Sequence, residues 1–461
     1  MADSNAPQAD VVVVGAGMAG LVAAVQAQMR GARVVLLEKG SAAGGLLALS
    51  GGTLWCARTY EDLRRLVPRG DPELWRVLVN DFAAGVEWLK SCGATATLLP
   101  SEPHRYVYWL EPSPRHYVQH MLDRFTGNGG TLVLNASASY LLSNADGSVS
   151  GVAARTRSGS QSVSARAVIL TTGGFQANPE MRARYFGPWS DRLILRSNPR
   201  STGDGWQMAT AIGALPSRAM SSFYGHLLPA PPAVVPTSDF IAYTMYHSEQ
   251  SVLVNLRGER FSDESLGDET NAQAVARQPE ALGFLIYDDT VYRQYAVRKD
   301  LTGSRGSDTF YESRVLGAPA ATAPTIAELS EQMQAFGVYG PGVAETLKRY
   351  NEAVSAGTAA QLQIPRKAKA NPVATPPFYA LGVTPGITFT LGGLSINSDA
   401  QVLDRRGEPI AGLYAAGADA GGIHISALSY SYIQHRINFC NFFFFQLLHN
   451  AFCANNSAKS I

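Results

Sequence analysis

Cysteine is scarce in this chain. Of 461 residues only Cys56, Cys92, Cys440 and Cys453 are cysteines, and no CxxC pair occurs. So scattered a set forms neither a disulfide framework nor a zinc site, and no metal is expected. Charge is scarce as well: charged residues are 16% of the chain, 38 basic against 37 acidic, with no Lys/Arg run. Without a basic patch there is nothing to hold a polyanion, which argues against nucleic acid and against a membrane surface as partner. The apolar stretch at residues 439–448 falls far short of the roughly 20 residues that a spanning helix needs. The opening MADSNAPQAD has neither the charged n-region nor the apolar core of a secretory signal, so the expected location is cytoplasmic.

What remains is a neutral, 46% hydrophobic chain, long enough for two domains. Residues 11–14 read VVVV, suited to a strand buried on both faces of a parallel sheet. A glycine turn, the helix-forming LVAAVQAQM and an apolar strand over 33–37, closed by Glu38, complete a βαβ unit. The pattern predicts helices over 72–90 and 114–125, and strands over 131–134, 151–156 and 162–170 around the turn Asn144-Ala-Asp-Gly147. A Pro-rich stretch at 227–236 marks a boundary. From there to about residue 365 aromatics and charge increase, with a helix predicted over 326–336, and the strand-and-glycine texture returns from 376. The order predicts a doubly wound, Rossmann-like α/β domain from residues 1–222 and 366–424, an inserted α+β cap over 223–365, and a divergent tail over 425–461.

The glycines carry the chemistry. In VVVVGAGMAG, Gly15 permits a tight turn, Gly17 lets a pyrophosphate touch the backbone, and Gly20 lets helix and strand pack closely. Free N–H groups at the helix start favour phosphate. Glu38, 23 positions after Gly15, is placed to accept hydrogen bonds from a ribose diol. That fingerprint alone does not separate NAD from FAD. Further small-residue segments do: AAGGLLALSGGTLWCA from Ala42, ILTTGGF from Ile169, TGDGWQMA from Thr202, TPGITFTLGGL from Thr384 and GLYAAGADAGG from Gly412. NAD needs one Gly-rich turn, whereas an FAD stretched across a sheet must be met by backbone along its whole length.

These strings, with GERFSDES, ARQPEALGFLIYDD and PPFYALGV, resemble the flavoproteins of the fumarate reductase, succinate dehydrogenase and 3-ketosteroid dehydrogenase superfamily. The resemblance runs over about residues 10–424 and looks closest to the tricarballylate dehydrogenase branch. It implies an FAD-binding domain with a substrate cap. Gly15, Ala16, Gly17 and Gly20 would cradle the pyrophosphate, and Glu38, with Lys39 beside it, the adenosine ribose. Ser50, Gly51, Gly52 and Thr53 would line the flavin, Ala138 would meet adenine, and Thr172, Gly173 and Asp204 would lie nearby. Gly417 would meet the ribityl chain, with Asp419 one step past Ala418, where relatives usually carry Glu. Some relatives attach FAD through a His, and that position here is Gly45, so the resemblance implies non-covalent FAD.

The activity so implied is hydride transfer to or from flavin N5, at a C–C bond next to a carboxylate or ketone of a small polycarboxylate or cyclic ketone. The electron partner is unknown. Family fumarate reductases carry a proton-donating Arg where this chain has Asp268, read here as a surface carboxylate, and a substrate His where it has Phe389. The remaining candidates are His226, His247 and His424; Arg260 is expected to fix the cap loop by a salt bridge. Tyr224, Tyr243 and Tyr246 keep open a ketosteroid-type reading with Tyr as base. A non-catalytic FAD-binding relative is the rival from another class.

Overall fold

The structure, a computed structural model, describes residues 9–67, 69–100, 103–237, 239–298 and 307–424. The expected tail over 425–461 lies outside them. A six-stranded sheet runs in the order Gln401–Leu403, Pro409–Ala415, Ala167–Leu170, Val11–Val14, Val34–Glu38, Thr131–Leu134. All its pairings are parallel except that between Gln401–Leu403 and Pro409–Ala415. The strand that opens the chain therefore sits mid-sheet, and the chain winds away from it on both sides. Every residue of Val11–Val14 and Val34–Glu38 is buried, which is why these strands read as continuous apolar runs.

The helix Met18–Met29 follows the Gly15 turn and buries the run Gly20–Ala27. Its small residues let it sit close to the sheet: a Cβ at Gly20 would lie 1.8 Å from the Gly15 carbonyl oxygen. The helices Pro72–Ser91 and Pro114–Gly127 begin as the sequence predicts, each with Pro in its first turn. Asp71 caps the first by accepting from the Glu73 and Leu74 amides, and Ser113 caps the second through the His116 amide. The predicted strand over 162–170 is two strands, Gly159–Ser164 and Ala167–Leu170, in different sheets. The break falls at Ala165 and Arg166, where no Gly or Pro marks a turn.

A second sheet is built on the 13-residue strand Phe378–Thr390. Phe223–Pro229, Gly283–Asp288 and Ala320–Ala323 pair with it antiparallel, Ile194–Leu195 pairs parallel, and Val252–Val254 extends the sheet beyond Gly283–Asp288. This sheet draws its central strand from beyond residue 365 and its Ile194–Leu195 edge from before residue 223. The segment 223–365 thus shares its sheet with the chain on both sides of it.

Candidate functional site

A cleft of about 1020 Å³, open mouth included, lies at the carboxyl ends of the first sheet's central strands. In an open parallel sheet this is where the winding direction reverses and a crevice forms. Val14, Gly15, Gly17, Leu37, Glu38, Thr171, Thr172, Gly173 and Gly417 line it as the residues at or just past the ends of four neighbouring strands. Gly15 has φ +105°, and a Cβ there would meet the Thr171 carbonyl oxygen at 2.4 Å, so the turn requires glycine. The Thr171 hydroxyl holds this turn by donating to the carbonyls of Val14 and Gly15, at 2.9 and 2.8 Å.

Gly17 is different. A Cβ on it would meet nothing closer than the Gly45 Cα at 4.0 Å, so it would project into open cleft. Gly45 faces it, and also lines the cleft. Gly17 precedes the first helix without a side-chain cap, leaving the helix's first amides for a ligand. Farther along, the Gln176 Oε1 and Thr390 Oγ1 atoms are buried without a hydrogen-bond partner. Both converge on Gly174, as does the methyl of Ala418, a cleft residue. The glycine cradle fits the close backbone approach of an extended dinucleotide, and the orphaned Gln176 and Thr390 oxygens lie behind the Ala418 wall.

Glu38 lines the cleft, but its carboxylate is already engaged: Oε2 accepts from the Ala16 amide at 2.9 Å and Oε1 from the Gly40 amide at 2.6 Å. It braces the turn and retains lone pairs for a diol. Lys39 donates to Thr202 Oγ1 and Asp204 Oδ2, both at 2.7 Å, and ties the second strand to the helix Asp204–Ala211. Ala138, Ser50 and Asp204 line the cleft; Ala16, Gly20, Gly51, Gly52, Thr53 and Asp419 do not. Gly52 instead packs on Pro114, which a Cβ would approach to 2.8 Å. Asp419 is fully buried behind the wall, accepts from the Thr172 amide and hydroxyl, and burial pushes its carboxyl up to about 6. Sequence reasoning missed Met18, Ala136, Asn198, Arg200 and Ser201 as cleft residues. Asn198 to Ser201 precede the Gly-Asp-Gly turn, and that adjacency was the available signal.

The three histidines separate. His226 lies on Phe223–Pro229, where alternation puts it on the same face as Tyr224. Its Nδ1 is 2.6 Å from Asp268 Oδ2 and its Nε2 is 2.9 Å from the Tyr224 hydroxyl. The expectation that Asp268 is a surface carboxylate is corrected: it is 4% exposed, opens the helix Asp268–Ala276, and also accepts from the Leu227 amide at 3.1 Å. Burial, and next the neighbouring Glu269, hold Asp268 well above the carboxylate range, while burial and then the Arg196 charge hold His226 well below the imidazole range. Both forms favoured are the uncharged ones, as low dielectric requires.

Tyr224 connects this dyad to the cleft. Its ring stacks on Phe389, centroids 4.7 Å apart, and Phe389 lines the cleft. His247 packs edge-on against Tyr287 at 5.0 Å, and burial pushes His424 down to about 3; neither lines the cleft. Arg260 fixes the cap loop as expected, with a 2.6 Å ion pair to Glu264 and a 2.7 Å bond to the Ile364 carbonyl. Arg366 joins the same Glu264 at 2.8 Å.

Residues 10–428 match the family described as FAD binding domain. The chain is 29% identical over 456 residues to urocanate reductase of Eggerthella lenta, spanning 89% of this chain and 70% of that protein. It is 29% identical to vinyl phenol reductase of Lactiplantibacillus plantarum, spanning 90% of each. Among solved structures it resembles the open conformation of a flavocytochrome c3 fumarate reductase, with TM-score 0.66, 26% identity, and coverage of 97% of this chain and 78% of that one. The fold also matches 3-ketosteroid-delta4-(5alpha)-dehydrogenase from Rhodococcus jostii, with TM-score 0.72, 20% identity, and coverage of 98% of both chains.

Proposed function

The chain belongs to the FAD binding domain family, and from that premise we propose that Tyr224, His226 and Asp268 are its proton-transfer device. It is an FAD-dependent oxidoreductase acting on CH–CH groups, a member of the fumarate reductase, succinate dehydrogenase and ketosteroid dehydrogenase superfamily. Bound FAD supplies the two-electron chemistry, taking or giving a hydride. Gly15, Gly17 and the first helix amides would hold its pyrophosphate, Glu38 its ribose, and the wall from Gly173 to Gly417 its far end. Gly45 offers no side chain for a covalent link, which supports a non-covalent flavin.

The proton path is written on the residues. In alkene reduction Tyr224 gives its hydroxyl proton to the substrate carbon, and its oxygen takes the proton from His226 Nε2. Nδ1 then takes the proton of Asp268. Asp268 ends as a carboxylate, His226 as the other neutral tautomer, and Tyr224 unchanged, so no buried imidazolium forms. Run backwards, the same chain removes an acidic proton for dehydrogenation. The observation that carries this reading is Tyr224 itself, bonded to the buried dyad and stacked on the cleft wall.

The substrate is proposed as a small molecule with its C–C bond next to a carboxylate. A cyclic ketone is the second reading, favoured by the aromatic surroundings: Phe389 on Tyr224, and Tyr246 edge-on to His226 at 5.6 Å. The test is anaerobic mixing of the dithionite-reduced flavoprotein with 2-enoates and cyclic enones. Return of the yellow oxidised flavin with one class supports the proposal. A reduced flavin that no member of either class reoxidises defeats it in favour of a non-catalytic FAD-binding protein.

A further inference from the structure

Arg196 immediately follows the short strand Ile194–Leu195, and its amide donates to the Ile387 carbonyl at 2.9 Å. Its guanidinium donates from Nη1 to Thr388 Oγ1 at 3.2 Å, and its Cζ lies 5.9 Å from the Phe240 ring centroid. Its Nε is buried without a hydrogen-bond partner. Among the described residues no carboxylate comes within ion-pair distance of it. A half-buried guanidinium without a counter-charge is costly, because its charge is partly removed from water. Arg260 and Arg366, by contrast, share Glu264; Arg182 is held by the carbonyls of Leu193 and Asp191 and, like Arg196, keeps a buried Nε without a hydrogen-bond partner.

The place is specific. Thr388 adjoins Phe389 of the cleft wall, and Asn198, two residues past Arg196, lines the cleft. On the far side of Phe378–Thr390, Tyr224 and His226 are paired with Phe389 and Gly386. Arg196 and the proton chain thus flank one strand end, and the charge of Arg196 is felt at His226, Asp268 and Glu269. Those acids do not neutralise it. Asp268 is held well above the carboxylate range, and burial pushes Glu269 up to about 7.

We propose that Arg196 is the anion-binding residue of the substrate site, and that it takes a single carboxylate conjugated to the reacting C=C bond. This rests on the reading of Tyr224 as proton donor, because it places the carboxylate beside that hydroxyl. One planar guanidinium matches one carboxylate, bidentate through the edge that carries the unpartnered Nε. A dicarboxylate would bring its second charge toward Asp268 and Glu269, where burial already disfavours negative charge. Phe240, Phe389 and Tyr224 suit a flat apolar body instead. The site so built selects monocarboxylic enoates over dicarboxylates.

The experiment uses the full-length FAD-loaded protein in its oxidised state, so that binding is read without turnover. Three probes are titrated and the flavin difference spectrum followed: trans-cinnamate, its uncharged isostere cinnamamide, and the dicarboxylate fumarate. Cinnamate should bind most tightly, and R196Q should weaken it on the order of 10- to 100-fold, the scale of a lost charge-assisted pair. R196K should recover part of the loss, and cinnamamide should be indifferent to either change. Flavin content and melting temperature, measured on each variant, identify a folding failure; in that case R196K, which keeps the charge, decides on the same criterion. Equal cinnamate affinity in R196Q overturns the proposal, and so does fumarate binding as tightly as cinnamate. Competition by chloride at equal concentration would mark Arg196 as an unselective cation and would also overturn it. Should enoates bind through Arg196 yet never reoxidise the flavin, this proposal stands and the preceding one falls.

Discussion

His226 Nδ1 and Asp268 Oδ2 lie 2.6 Å apart inside the protein, 42 residues apart in sequence, and burial drives both toward their neutral forms. One proton serves the pair. On the proposed path Asp268 is the reservoir of acid at the end of a chain that begins at Tyr224. The groups facing it are His226, Glu269, Glu249 and Arg196: the two acids raise it and the arginine lowers it.

The sign of the pH dependence follows. Alkene reduction needs protonated Asp268, so its rate holds below the raised Asp268 pKa and falls as pH climbs through it. Dehydrogenation needs the carboxylate and shows the opposite limb. D268N should flatten this limb while leaving flavin content intact. H226Q breaks the relay and should lower turnover roughly 100-fold while also removing the limb. A purely packing role for His226 would lower the rate and leave the profile's shape as it was; that result assigns His226 to packing.

Gly17→Val should abolish flavin retention with little loss of fold. A Cβ there would meet nothing closer than the Gly45 Cα at 4.0 Å, so the cost falls mainly on the ligand. Absorbance near the flavin band after gel filtration, set beside the circular dichroism spectrum, checks both halves.

Gly20→Ala should behave in the opposite way. Its Cβ would lie 1.8 Å from the Gly15 oxygen and 2.7 Å from Thr171 Oγ1, so helix and turn must separate. A loss of at least about 1–3 kcal/mol in stability is expected, the scale of overpacking. Denaturant melts of the apoprotein give the value; a melt equal to the parent's contradicts the tight packing.

Acid precipitation should leave a colourless pellet and a yellow supernatant, since Gly45 has no nucleophile. Flavin that stays with the polypeptide would locate a covalent link elsewhere.

Much of the first sheet was legible because its strands are buried on both faces and its turns need glycine, so VVVV and GAGMAG admit few alternatives. The cleft residues at strand ends were legible for the same reason. The long strand Phe378–Thr390 was not. TPGITFTLGGL reads as a glycine motif for a cofactor, while Gly386 is there because a Cβ would strike Leu228 at 2.5 Å, and Gly393 because one would strike the Asp419 backbone. Asp268 was found as a departure from an arginine, yet its burial was missed. Charge logic says that a carboxylate repels a dicarboxylate, but nothing in the local sequence says that a histidine 42 residues earlier will lie within hydrogen-bond distance of it. Arg196 gave no signal at all, because an unpaired arginine is visible only when its surroundings are.

The central claim is that Tyr224 hands over the proton. Its most direct test is Y224F, which removes one oxygen and keeps the ring on Phe389. The rate of reoxidation of the reduced flavin by an enoate should fall roughly 100-fold or more. Flavin content and enoate affinity in the oxidised state should stay at parent values. If Y224F reoxidises as fast as the parent with the same enoate, the proton comes from elsewhere and the relay through His226 and Asp268 is refuted.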